Sequence, residues 1–226
     1  MVTFLTVLKS RKQEDDYGMH VGYSIYYPEY VYAIQKQIEK HYPHPHRFIC
    51  LTDFEGMKCE TIPLIHNLPG WWSKMELFRI PGENFIYFDL DTFIVSDITE
   101  VVEYPHTMSA LSQVDSETVA GRKKEVKLAS GVMAWNGNHS DIYHKFMEDP
   151  SGNMEKYKKE GDQIFIQESI HDFKPIQEIT SGIINYKFEL RDKENLPKDA
   201  KIIYFHAQHK PWRLNHKWLD QSLYNL

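Results

Sequence analysis

The apolar positions of this chain come in short runs separated by polar turns. Val2 to Leu8 is rich in β-branched and aromatic side chains and breaks at the polar stretch Lys9 to Asp16, which predicts a strand and then a loop. From Tyr30 to His41 the apolar residues Val31, Ile34 and Ile38 recur at three and four, with Lys36, Glu39 and Lys40 between them, and so mark one face of a helix. Pro43, His44, Pro45 and His46 stop it. Strands follow at Arg47 to Thr52, ending at Asp53, and at Glu60 to Ile65 beyond the turn at Gly56. Strand, helix and strand joined by short loops open a parallel α/β sheet.

In Gly70 to Arg79, Ser73 with Glu76 three residues later predicts a capped helix start, ended by Pro81 and Gly82. Phe85 to Phe88 is an apolar strand running into Asp89-Leu90-Asp91, after which Phe93, Ile94 and Val95 resume the pattern. Ala110 to Ser112 predicts a strand, Asp115 to Lys127 a polar segment long enough for a lid, and Gly131 to Trp135 a further strand. Ile142 to Met147 reads as helical. Gly161-Asp162-Gln163 opens a helix carrying Ile164, Phe165, Ile166 and Ile170, and Lys201 to Phe205 is a strand ending at His206. No repeat, low-complexity stretch or long linker divides the chain.

Composition narrows the class. The 226 residues suit one compact domain with a sizeable core. Hydrophobic residues at 42% and charged residues at 26% are globular proportions and disfavour disordered, collagen-like and coiled-coil chains. A net charge of -6 disfavours a protein held on nucleic acid by its overall field. Cys50 and Cys59 can make neither a disulfide scaffold nor a zinc cluster, so both are expected as thiols in a reducing compartment. The first apolar run is short for a signal peptide and lacks a basic leader. No stretch approaches the roughly 18 apolar residues of a membrane span, so a cytoplasmic protein with at most peripheral membrane contact is expected.

The informative residues are the acids inside the apolar run. Two carboxylates one residue apart are costly to bury unless something positive meets them. In an extended chain Asp89 and Asp91 face one side while Leu90 packs the other way. Hard oxygen donors suit magnesium or manganese, and ligands of open α/β sheets collect at the carboxyl ends of strands. A solvated strand-end turn or an ion-pair network would carry the same residues.

Phe85 to Ile98 resembles the Asp-x-Asp segment of glycosyltransferases of GT-A fold, especially the family-8 group of glycogenin and the bacterial lipooligosaccharide galactosyltransferases. Three further segments match in order: Ser130-Gly131-Val132-Met133, Gly161-Asp162-Gln163, and His206 with Lys210-Pro211-Trp212. Trp71 to Phe78 is similar to a bacterial and phage branch of that fold. The resemblance runs from the first strand to about Trp212. It implies a single GT-A domain over 1–226, with a mixed, mostly parallel sheet flanked by helices, a Rossmann-like nucleotide-sugar-binding half over 1–100 and an acceptor-side half over 101–226. It also implies a Mn2+ or Mg2+ ion held by Asp89, Asp91 and His206, and donor contacts from Lys9, Lys74, Asp115, Lys210 and Trp212. Asp162 and Gln163 take the catalytic positions, Gln163 nearest the reacting carbon, with retention of configuration. The chain departs from the group at Ala129, where an asparagine is usual, at Ile164, where an acid is usual, and in the short span Ala207-Gln208-His209 between His206 and Lys210.

The implied partners are a nucleotide-sugar, with UDP as the nucleotide, and a cell-surface glycan or lipid-linked acceptor. Three alternatives stand beside this reading. A glycosyltransferase of hydroxymethylated bases in phage DNA would be held on DNA with a steep salt dependence. A nucleotidyltransferase would release pyrophosphate, and a silent nucleotide-sugar binding module would bind without turnover. Among other candidates, His41, His44 and His46 are expected on a surface turn, and His209 and His216 in a solvated tail. Of Trp71 and Trp72, one is expected inside and one partly out. The basic residues Lys9, Arg11, Lys12, Arg122, Lys123, Lys124, Lys210, Arg213 and Lys217 are expected near one rim, either solvated or facing an anionic acceptor.

Overall fold

The computed structural model describes residues 1–10, 26–113, 126–206 and 208–224. Its elements run β1 (Val2–Leu8), α1 (Pro28–His41), β2 (His46–Thr52), β3 (Glu60–Pro63), β4 (Phe85–Phe88), β5 (Phe93–Ile94), α2 (Thr99–Val102), β6 (Met108–Gln113), β7 (Lys127–Trp135), α3 (Ser140–Glu148), α4 (Pro150–Lys156), α5 (Asp162–Ser169), β8 (Lys174–Pro175), β9 (Ile183–Asn185) and β10 (Ile202–Tyr204). A mixed sheet of order β3-β2-β1-β4-β7-β6-β8 forms the centre, parallel from β3 through β4. β7 runs antiparallel to β4 and β6, while β8 is parallel to β6. A smaller sheet, β5-β10-β9, stands beside it.

Alternation along β1 divides the core into two layers. Phe4 and Leu8 pack with Val31, Ile34 and Ile38 of α1, whereas Leu5 packs on the other face with Trp72, Met75, Phe146 and Phe165. Apolar side chains covered on both faces are what a parallel sheet requires. Trp72 is buried and Trp71 half-buried, as the split pair was expected to be. Cys50 is buried, Cys59 half-buried, and both are free thiols.

Several local expectations give way to tertiary contacts. Gly70–Arg79 is a 3₁₀ helix without the capping box. Ser73 Oγ bonds back to Gly70 O at 2.7 Å, and the fully buried Glu76 carboxylate accepts from the Ile65 and His66 amides and from Arg79. A buried carboxylate needs several donors, and two of them, the Ile65 and His66 amides, lie outside its own helix. α4, unanticipated in a stretch with proline, glycine and asparagine, starts at Asp149, whose side chain accepts from the Gly152 amide. The chain after Trp212 packs onto the small sheet. Leu219 is buried there, His216 Nε2 meets Tyr186 OH at 2.8 Å, and His216 stacks on Trp218, so His216 is half-buried and held in the fold, not in a solvated tail. Among the described residues no helix is long and apolar enough to cross a membrane.

Candidate active site

The parallel register sets the carboxyl ends of β2, β1 and β4 side by side. Leu8 pairs with Thr52 and Leu5 with Tyr87, so Asp53, Lys9 and Asp89 leave the sheet on the same edge. β7 passes this edge antiparallel, and the Asp89 amide donates to Gly131 O at 2.8 Å. Opposite β6 the register jumps between Ala110 and Leu111, releasing Ser130 to Val132 from that partner. Such a bulge turns side chains toward a site, and Ser130 is one of them.

Asp89 and Asp91 lie on a turn and not on the extended chain expected. The Thr92 amide closes back on Asp89 O at 2.9 Å. Leu90 packs into the core as expected, but the two acids are met by different lysines. Lys74 Nζ lies 3.1 Å from Asp89 Oδ1, 3.3 Å from Asp162 Oδ2 and 3.1 Å from Ser130 Oγ. Ser130 Oγ donates to Asp162 Oδ2 at 2.6 Å, and Tyr87 OH donates to Asp89 Oδ1. Lys210 pairs with Asp91 Oδ2, where both side chains are only 8% exposed. Tyr26 OH reaches the same oxygen at 3.5 Å, and its ring lies 5.5 Å from Lys210 Nζ.

Field and burial act in opposite directions here. Burial, helped by Asp91 and Asp162, raises the Asp89 carboxyl above the ordinary range, although Lys74 pulls it down. Burial also opposes charge on Lys74, but Asp162 and Asp89 outweigh it and hold that ammonium protonated more firmly than an ordinary lysine. Burial and then Asp91 push the Tyr26 phenol up, and burial and then Asp89 do the same at Tyr87.

The antiparallel pairing of Ile203 with Phe93 carries the end of β10 alongside the Asp89–Asp91 turn. His206 Nε2 accepts from Asn185 Nδ2 at 2.9 Å, and burial lowers its pKa against the pull of Asp91. Among the described residues no three His, Cys, Asp or Glu side chains converge as a metal-ligand group. Asp89, Asp91, Asp162, Lys74 and Lys210 therefore come together, whereas His206 faces Asn185. Gln163 is half-buried in the first turn of α5, directly after Asp162. Its preceding glycine is required twice: Gly161 has φ +75°, and a Cβ there would lie 3.0 Å from Trp71 Nε1.

Lys9 bonds Asp53 at 2.7 Å, with the Ser10 amide and hydroxyl on the same carboxylate. Trp212 stacks on Tyr30 at 3.9 Å and 10°, edge-on to Tyr26, and thereby holds the Lys210 segment against α1. Asp115, Arg11, Lys12 and Arg122 to Lys124 lie outside the described residues. Two members of the expected basic rim, Lys9 and Lys210, are consumed by internal ion pairs, while Arg213 and Lys217 are exposed. Sequence reasoning missed Tyr26 and Tyr87 as site residues. Tyr87 carried a signal, since two residues along a strand return to the same side.

No protein-family model and no curated protein sequence matches the chain. Solved structures do. The glycosyltransferase GlyE of Streptococcus pneumoniae TIGR4 matches with a TM-score of 0.63 at 15% identity, covering 99% of this chain and 60% of GlyE. The galactosyltransferase LgtC, in complex with donor and acceptor sugar analogs, matches with a TM-score of 0.59 at 14% identity, over 99% of this chain and 94% of LgtC. An active-site glutamine-to-glutamate mutant of LgtC matches with a TM-score of 0.55 at 13% identity, over the same shares. The chain thus has the GT-A type of fold and spans about three fifths of the length of GlyE.

Proposed function

We propose that the chain is a metal-dependent glycosyltransferase, which moves a sugar from a UDP-sugar to a cell-surface glycan or its lipid-linked precursor. The observation that carries this reading is the cluster of three carboxylates and two buried lysines at the carboxyl edge of β4, on a fold shared with glycosyltransferases. The LgtC complex with donor and acceptor sugar analogs supports the two-substrate form of the reading. The net charge of -6 and the internal pairing of Lys9 and Lys210 favour a glycan acceptor over DNA.

Two carboxylates are a donor set that a hard divalent ion completes with phosphate oxygens, and among the described residues no preformed group of three ligands is present. Asp89 and Asp91 offer oxygens on a turn that already faces two ammonium groups, and His206 is a half-buried imidazole at the end of the neighbouring strand. These three residues would hold Mn2+ or Mg2+, which when bound supplies positive charge at the nucleotide's diphosphate. Everything else falls to side chains of the chain. Cleavage of the bond from the anomeric carbon to the diphosphate oxygen leaves electron density on the phosphate, and Lys210 is the mobile cation that meets it. Asp162 is pinned through Oδ2 by Ser130 and Lys74, so its other oxygen is free to fix a sugar hydroxyl. Gln163, one residue on, faces the anomeric carbon. A carboxamide is a poor nucleophile, so the acceptor oxygen attacks on the face the phosphate leaves, passes its proton to that phosphate, and configuration is retained. LgtC likewise has an active-site glutamine, the residue altered in its mutant. Lys9, Trp212 and Asp115 complete the donor contacts, with the nucleotide over residues 1–100 and the acceptor over 101–226.

A panel of UDP-sugars with Mn2+, scored by UDP release, tests the proposal. At least one donor is hydrolysed slowly by the wild type and spared by Asp91→Ala. If every UDP-sugar stays intact and none raises the melting temperature, the reading fails.

A further inference from the structure

The place proposed for a divalent ion is held by a lysine of the chain itself. Lys210 pairs with Asp91 with both side chains 8% exposed, over the face of Tyr26, whose hydroxyl bonds the same carboxylate. We propose that Lys210 is a tethered counter-ion to Asp91, displaced only when metal and nucleoside diphosphate arrive together, so that the site takes its metal with the nucleotide and not before it. This rests on the donor reading above.

Charge balance leads to that order. Asp89, Asp91 and Asp162 bring three negative charges, and Lys74 and Lys210 two positive ones. A dication added while Lys210 stays would reverse the sign of the cluster and set an ammonium against it in a site that water screens poorly. Lys210 must therefore leave Asp91, and a buried ammonium leaves at low cost only toward another anion. The diphosphate is that anion. The swing belongs to the side chain, because the backbone around Lys210 is anchored: Pro211 is buried and Trp212 is stacked between Tyr30 and the ring edges of Tyr26 and Tyr224. Lys74 cannot play the same part, since it bridges Asp89, Asp162 and Ser130 at once.

Free Mn2+ counted by electron paramagnetic resonance tests this in the intact chain, with and without UDP. The wild type should bind Mn2+ weakly alone, and UDP should tighten it by at least about tenfold. Lys210→Met should bind Mn2+ alone at least about tenfold more tightly than the wild type, with most of the UDP coupling lost. Lys158→Met removes an exposed positive charge whose ion-pair partner is Glu155 and should change neither number, which separates a local counter-ion from a change in net charge. Equal Mn2+ affinity in Lys210→Met and the wild type overturns the proposal. So does independent binding of Mn2+ and UDP to the wild type, a result that stands even if Lys210→Met does not fold. If the wild type binds no UDP under any condition, the donor reading fails, while a gain of Mn2+ binding in Lys210→Met still supports the counter-ion.

Discussion

Replacing Lys74 by methionine removes the cation shared by Asp89 and Asp162 and leaves Ser130 without one of its two partners. The Lys74 and Asp162 side chains are 11% and 7% exposed and that of Asp89 is 29%, so one carboxylate is stranded in the interior and one at its edge. Breaking a buried pair costs about 3–5 kcal/mol, and the partial exposure of Asp89 points to the lower end, about 3 kcal/mol. For a chain of this size that lowers the melting temperature by about 6–12 °C. The loss must also depend on pH in a definite sense. Lys74 pulls down a carboxyl at Asp89 that burial has already raised, so its removal raises that carboxyl further. A group whose folded pKa exceeds its unfolded value contributes stability below the unfolded value and loses it as pH rises through the folded one. The deficit of Lys74→Met is therefore greatest near pH 8 and shrinks toward pH 5 as the carboxyl takes up a proton. Thermal unfolding of both proteins at the two pH values is the assay. A deficit below about 1 kcal/mol at pH 8, the scale of a surface ion pair, would refute the reasoning, as would one that does not shrink on acidification.

Asp53 behaves in the opposite sense: despite burial, Lys9 and Ser10 hold its carboxyl below the ordinary range. Its contribution is present above the unfolded carboxyl pKa and disappears as pH falls through the depressed folded one, so Asp53→Asn should flatten the acid limb of the stability curve measured by circular dichroism. Gly182 has φ +80°, and a Cβ there would lie 1.9 Å from Asp199 O; Gly182→Ala should cost about 3 kcal/mol or more in chemical denaturation. Ser130→Ala should cost about 1–2 kcal/mol through the lost hydrogen bond to Asp162, which keeps only Lys74 on that oxygen, and slow UDP release from a donor, with UDP affinity unchanged.

The opening β1-α1-β2 unit was legible because each element carries its own period: continuous apolar runs for buried strands and a three-and-four spacing for α1. Asp89, Asp91 and Asp162 were legible as acids set where a sheet ends or a helix begins. What they touch was not. Lys210 and Asp91 are 119 residues apart, and no local pattern reports a contact closed over that distance. Glu76 shows the same limit: its spacing from Ser73 fits a capping box, yet burial gives it to Ile65, His66 and Arg79. The turn at Asp89–Thr92 escaped because an extended chain and a tight turn both set Leu90 inward. β8 and β9 are two and three residues long, too short to show a period at all.

The claim on which the functional account depends is that the Asp89–Asp91 turn is where a nucleotide's diphosphate is held. Calorimetric titration of UDP in saturating Mn2+ into the wild type and Asp89→Asn tests it most directly. The account predicts a single site in the wild type and an affinity at least about tenfold weaker in the variant. Equal binding to both proteins, or none to the wild type, would contradict it.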